Sequence, residues 1–338
     1  MENNSNITKS PTEDFEYVNF PNITEDEMEK LRRLYAGYIF YLLSIYIIII
    51  TPAIFGNTLI LVSLFRFRRL RSRINILIGN LAVSDLLLGL VVIPFDIAFL
   101  HVKALQEEKI PCLVRQSLIV ILLDASILNL TIYCDCFIRS NMLNFAENGD
   151  SLFIFGISWS ISIIIGAIPL MGWNTWEQGK FCDNELVWCE EYRGLQYLTI
   201  CSCLIANFIM YVKVMRTAWR RLKETKRISG TSDTNSQRHI NISKKDVRKT
   251  KIMVLVLGIF AICWGPYCVI IITETFFVDK NIELIIAKKF FGCLGMMNSG
   301  LNWIVYGVKN KNFRQAFKYL LSFGACGNKD GYDMSTTK

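Results

Sequence analysis

The residues best suited to chemistry in this sequence are acids, amides and hydroxyls that interrupt long apolar stretches. Asn57 follows Gly56 in one stretch, Asp85 closes Asn80-Leu81-Ala82-Val83-Ser84-Asp85 in the next, and Asn298, Ser299 and Asn302 fall in the last. Polar and ionisable groups are expensive in hydrocarbon, so each one inside such a run is a functional candidate. Turned toward one another, these side chains form either a water network with room for a sodium ion beside Asp85, or a static hydrogen-bond cluster between helices. Asp124 and Asp135 interrupt a third stretch. Eleven cysteines are scattered with no CxxC pairs at zinc spacing, and Cys201, Cys203, Cys263 and Cys293 read as small packing residues inside apolar runs. His101 and His239 are the two histidines, neither in an intramembrane catalytic setting, so the chain does not read as an enzyme. No cofactor beyond that sodium ion is implied.

These groups are carried by apolar runs long enough to cross a bilayer. With 52% hydrophobic residues and a mean hydropathy of +0.33, the chain falls in the membrane class. A spanning helix needs roughly 20 mostly apolar residues. Runs of that length occur at 39–65, 75–100, 112–136, 151–172, 194–219, 250–275 and 285–308. The expected fold is all-α, a seven-transmembrane helix bundle over 39–308, with a tail at 1–38 and a short interfacial helix and tail at 309–338.

The formal charge of +8 would suggest nucleic acid in a soluble protein, but here it sets topology. Arg66, Arg68, Arg69, Arg71 and Arg73 crowd the first loop, 213–251 is richer still, and Lys309, Lys311, Arg314 and Lys318 follow the seventh span. Seven crossings put all three on one, cytoplasmic side; an even number breaks that agreement. The acidic N-terminal tail and the loop with Glu177, Asp183, Glu185, Glu190 and Glu191 then face outside. No secretory signal pattern occurs in 1–30. Sequons at Asn3, Asn6 and Asn22 suit a glycosylated outer tail, although Asn129 and Asn241 match the same weak pattern. Past the last span, 310–322 reads as an amphipathic helix lying in the membrane interface, with Phe313, Phe317, Leu320 and Leu321 on one stripe. Cys326 beyond it is a palmitoylation candidate. The segment 224–243, rich in Ser, Thr and Asn, reads as disordered.

Taken in order and spacing, these features resemble the rhodopsin-family (class A) G protein-coupled receptors. The resemblance rests on Gly56-Asn57, on Leu81-Ala82-Val83-Ser84-Asp85, on Trp159, on Phe260-Ala261-Ile262-Cys263-Trp264-Gly265-Pro266, similar to FxxCWxP, and on Asn302-Trp303-Ile304-Val305-Tyr306, similar to NPxxY. The scaffold is most similar to adenosine-receptor-like members, through Ile157-Ser158-Trp159, Gly166, Pro169 and Leu170-Met171-Gly172-Trp173-Asn174, and through Lys245-Asp246-Val247. Adenosine itself is disfavoured: Ile271 and Met296 stand where those receptors carry polar residues, and Glu190-Glu191-Tyr192 follows Cys189 without the usual aromatic. An amine is disfavoured too, since Leu118-Ile119 occupies the region of the amine-binding acid.

The resemblance implies a plasma-membrane receptor, N-terminus outside, that binds an extracellular ligand of unknown class and activates a heterotrimeric G protein by outward movement of helix six. It implies a pocket near Asp96, Leu118, Trp264, Ile271, Glu274 and Met296. Asp96 and Glu274 read either as attractors of a cationic ligand group or as solvated helix-end charges. The implied switch is Asp135, Cys136, Tyr211, Asp246, Phe260, Trp264, Pro266 and Tyr306, with Pro266 kinking helix six. The resemblance also implies a bridge from Cys112 to Cys189, while spacing alone leaves Cys182 open as the partner. Two positions depart from the family: Cys136 replaces the DRY arginine, with Arg139 three residues on, and Trp303 replaces the NPxxY proline. They leave a non-signalling decoy or partner subunit as the alternative. A transporter or channel fits less well, because no internal repeat is visible and the polar positions stop at mid-membrane.

Overall fold

The computed structural model describes residues 25–102, 105, 107–142, 151–178, 182, 184–228, 234–276 and 282–322. For part of these helices, including 137–142, 224–228 and 234–250, only the backbone is described. Asn3, Asn6, Asn22 and Cys326 lie outside the described residues.

Eight long or amphipathic helices make up the described chain. They are α1 (Glu25–Arg66), α2 (Arg73–Leu87), α3 (Lys109–Met142), α4 (Ser151–Ala167), α5 (Glu190–Ile228), α6 (Thr234–Phe276), α7 (Ile282–Lys309) and α8 (Lys311–Leu321). Apolar spans of 25 to 28 residues, each enough to cross a bilayer, lie within α1, α3, α5 and α6 and over Asn75–Phe99, where α2 continues through Leu88–Val92 into Ile93–His101. A shorter apolar helix runs over Phe155–Met171, and α7 has Lys288 and Lys289 in its first turns. Packing runs α1 on α2, α2 on α3, α3 on both α4 and α5, α5 on α6, α6 on α7, and α7 back on α1, closing a seven-helix bundle. Large apolar side chains such as Phe40, Ile47, Ile164, Leu198, Phe208 and Ile262 project outward from it. An apolar exterior of that extent suits lipid, where every backbone polar group must be satisfied within a helix.

Local sequence sets the helix ends and irregularities. Ser72 caps α2 by accepting from the Asn75 N–H at 3.4 Å, and Asn310 caps α8 by accepting from the Asn312 N–H at 3.1 Å. Pro94 lacks the N–H that would continue a regular ladder, and the turn before it, Leu88–Val92, is π-helical before helix resumes over Ile93–His101. Two parts of the segment 224–243 depart from expectation, since α5 continues to Ile228 and α6 begins at Thr234, while 229–233 lie outside the described residues. Its Arg, Lys, Glu and Gln residues are good helix formers, and a spanning helix already supplies the nucleus from which helix propagates.

The core is graded along the bundle. Aromatic rings fill the end nearest α8, where Tyr133, Phe260, Tyr306, Phe313 and Phe317 belong to one buried cluster. There α8 lays Phe313 and Phe317 inward, with ring centroids 5.8 Å apart, and Phe313 faces Tyr306 at 6.1 Å. Leu321, expected on the same stripe, is exposed.

Candidate functional site

The opposite end is fastened by a disulfide, and its pairing corrects the expected bridge from Cys112 to Cys189. Cys112, in the first turn of α3, is bonded to Cys182. The helical turn Asn184–Val187 comes directly after Cys182 and holds it among Phe99, Leu113 and Val187, over the start of α3. Cys189 lies seven residues further along, at the start of α5, where its thiol donates toward the Trp173 carbonyl at 3.8 Å. There Cys189 packs against the cluster of Val120, Trp188 and Tyr192.

Beneath this end lies a cavity of about 160 Å³ between α1, α2, α3, α5, α6 and α7. From α3 it is lined by Arg115, Gln116, Ile119, Val120, Leu123 and Asp124, one helical face at the i, i+4, i+8 spacing. Leu118 is off that face and packs instead in the α1–α2–α3–α7 cluster with Trp159, so it is not a lining residue. Asp96, Trp264 and Met296 do line the cavity. Ile271 is buried one turn beyond Tyr267 and Glu274 one turn further still, both outside the lining.

Neither Asp96 nor Glu274 is a solvated helix-end charge. Asp96 is 1% exposed and accepts from the Tyr46 hydroxyl and the Arg115 guanidinium. The π-helical turn before it adds a residue, which rotates the helix beyond that turn by roughly 100° and brings Asp96 to face α1 and α3. Glu274 accepts from Lys288 at 2.6 Å, with side chains 4% and 3% exposed, and Lys288 also donates to the Tyr197 hydroxyl at 2.9 Å. Both acids are held by cations from neighbouring helices. Those cations are not legible as cavity residues from the sequence, in which Lys288 and Lys289 stand only as charges at the start of a span. Arg115, one turn after Cys112 and inside an apolar run, carried the one usable signal.

Deeper in the bundle, the predicted polar residues converge on Asp85. Asn302 Nδ2 donates to one carboxylate oxygen at 2.9 Å and Ser126 Oγ to the other at 3.3 Å, with the Ser299 hydroxyl also in reach. Asn57 Nδ2 donates to the carbonyls of Ala53 and Ser299, at 2.9 and 3.2 Å. Asn57 Oδ1 and Asn298 Oδ1 are buried acceptors with no hydrogen-bond partner. A second cluster, not foreseen, ties α2, α3 and α4: Asn80 and Ser158 donate to Asn129 Oδ1 at 2.8 and 2.7 Å, and Trp159 Nε1 donates to Asn80 Oδ1 at 2.9 Å. The sequon at Asn129 is thereby a buried structural amide.

The expected switch residues are spread down α3, α5, α6 and α7. Trp264 stacks edge-on with Tyr267 at 5.8 Å, and a Cβ at Gly295 would stand 2.9 Å from its ring, so α7 has a glycine where that indole approaches. Phe260 is buried one turn below, Pro266 lies within the continuous α6, and Tyr306 is buried beside Tyr133. Asp135 and Cys136 are half-buried near the α8 end. The backbone of Asp246 lies in α6; its side chain and that of Arg139 fall outside the described set. Trp303, the substitute for the family proline, fills the space beside Gly56, where any Cβ would strike its indole. Tyr211 lines a second cavity, about 650 Å³, at this end with Lys251, Gly258, Lys309 and Arg314.

The charged cavity above a buried acid network, and a tryptophan two residues before a proline in α6, define a class. Residues 56–306 match the family described as 7 transmembrane receptor (rhodopsin family), and the chain belongs to that family. Three curated relatives are similar over most of both chains. Sphingosine 1-phosphate receptor 1 of Danio rerio is 26% identical over 85% of this chain and 80% of its own length. 5-hydroxytryptamine receptor 4 of Rattus norvegicus is 29% identical over 83% and 75%, and histamine H2 receptor of Cavia porcellus 29% over 82% and 78%. The chain is a multi-pass membrane receptor of this family.

Proposed function

We propose that this receptor sits in the plasma membrane with its N-terminal tail outside, binds an extracellular ligand in the Asp96–Trp264 cavity, and signals to heterotrimeric G proteins through its basic end. The observation that carries the reading is Trp264, which lines the cavity two residues before Pro266 in α6. A ligand shifts a conformational equilibrium only through contacts that differ between the states. Pro266 removes a backbone donor and weakens α6 at one point, so contact with the indole acts on the bend. The Lys251 end of α6 then swings outward and opens the second cavity, whose Lys251, Lys309 and Arg314 suit an acidic partner surface. The relatives are named for three different ligands at nearly equal identity, so likeness alone selects none of them.

The network around Asp85 fits a sodium ion. Its carboxylate, the Ser126 and Ser299 hydroxyls, and the unpartnered amide oxygens of Asn57 and Asn298 are the oxygen donors a hard cation takes. Bound there, the ion supplies a positive charge that ties α2, α3 and α7 together.

G-protein activation in cells, first without ligand and then with nucleoside, amine, lipid and peptide libraries, tests the coupling. Activation of at least one G-protein class is expected; silence in every class at verified surface expression overturns the reading. Cys136 favours a second reading, a non-signalling partner or decoy. Cys136→Arg separates the two: a large gain at unchanged surface expression marks the native chain as deficient, and strong native coupling removes the decoy.

A further inference from the structure

We infer that Asp124 is the ligand-anchoring acid of this cavity and that it takes a protonated amine, an assignment that rests on the receptor reading above. Asp124 lies on the cavity-lining face of α3, twelve residues past Cys112 and so roughly 18 Å below the disulfide. It is 2% exposed, and its Oδ2 has no hydrogen-bond partner. Gln196 of α5 is within hydrogen-bonding reach of the carboxyl, and its own amide donates to the Tyr192 hydroxyl at 3.3 Å.

Asp96 is matched by Arg115 and Tyr46 and Glu274 by Lys288, while Asp85, outside this cavity, accepts from Ser126 and Asn302. Asp124 is the cavity acid for which the described residues supply no cation. Burying an ionised carboxylate is costly unless a positive partner accompanies it. A neutral hydroxyl would satisfy the orphan oxygen but leave the charge uncompensated; a protonated amine does both. The surroundings suit the rest of a small ligand, because Val120, Ile200 and Trp264 line the same cavity and offer apolar and aromatic contact. Its volume is below the range of sites for drug-sized ligands, which selects a compact molecule. Leu118-Ile119, the region in which the resemblance would place an amine-binding acid, lies five to six residues above Asp124, about 7.5 to 9 Å along α3. The carboxylate is present, deeper in the bundle.

The test is thermal melting of the purified full-length receptor in lipid nanodiscs with tyramine, tryptamine and phenethylamine, each against its neutral N-acetyl counterpart. At least one amine is expected to raise the melting point in a saturable way while its N-acetyl form does not. Asp124→Asn is expected to weaken that amine by about tenfold or more, the loss typical of a charge-assisted hydrogen bond. Without ligand the variant is expected to melt at the same or a higher temperature, because the cost of burying a carboxyl group has been removed. No shift with any amine, an equal shift in Asp124→Asn, or an equal shift with the N-acetyl compounds overturns the assignment. A large fall in the melting point of the ligand-free variant also overturns it, by making Asp124 a structural acid. The readout needs no G protein, so failed coupling and failed amine binding are told apart.

Discussion

The two ends of the bundle bury different chemistry. Around the cavity below the disulfide, Asp96 with Arg115 and Glu274 with Lys288 place charges inside a helical protein. At the α8 end the same helices bury rings, with Phe260, Tyr306, Phe313 and Phe317 in one cluster and charge kept to the rim of a larger cavity. Ion pairs are directional and fix which helices face one another. Ring clusters pack well in more than one arrangement. On the proposed function the first end recognises ligand and the second rearranges, with Trp264 and Pro266 between them.

The largest effect is expected at the charged end. Asp96→Asn leaves the Arg115 guanidinium, 15% exposed, without its acid, and breaking one side of a buried pair costs about 3–5 kcal/mol. Melting point and surface expression should both fall, and replacing both partners with apolar residues should recover much of the loss. Full stability of Asp96→Asn would mean that the pair does not fasten α2 to α3.

Next comes the disulfide. Cys112→Ser and Cys182→Ser should each cost about 2–4 kcal/mol by thermal melting. Cys189→Ser should be neutral; equal losses for Cys112→Ser and Cys189→Ser would restore the pairing that the resemblance implied.

Beside the mid-bundle polar network, Gly56→Val drives a side chain into Trp303 and should cost about 1–3 kcal/mol, the usual penalty of overpacking. Trp303→Leu should relieve that cost, and a double-mutant cycle showing no coupling would mean that the two do not share the space. The smallest effect is expected midway. Exchanging choline for sodium at constant ionic strength should stabilise the receptor by about 0.4 kcal/mol where sodium equals its Kd. Asp85→Asn should abolish the response.

Much of the scaffold was legible in the sequence because the bilayer imposes a one-dimensional rule. Apolar length alone places helices over runs such as 75–100, within two residues of the observed span Asn75–Phe99. The polar network was legible for the same reason: amides and acids stand out in hydrocarbon, and Asn57, Asp85, Ser299 and Asn302 do converge. The cavity was less so. Lys288 and Lys289 stand at the start of a span and Arg115 inside one, and whether such a charge points into the bundle depends on helix rotation, which the π-helical turn at Leu88–Val92 alters for Asp96.

By itself, then, the sequence determined the number of spans, the clustering of positive charge at one end, and the residues too polar to face lipid, since each stems from the cost of placing a group in hydrocarbon. Tertiary structure alone decided the partner of each polar group: Cys182 rather than Cys189 for Cys112, Arg115 for Asp96, Lys288 for Glu274, and Trp303 against Gly56. Pairing depends on distance and direction between helices far apart in the chain, and no local pattern encodes those.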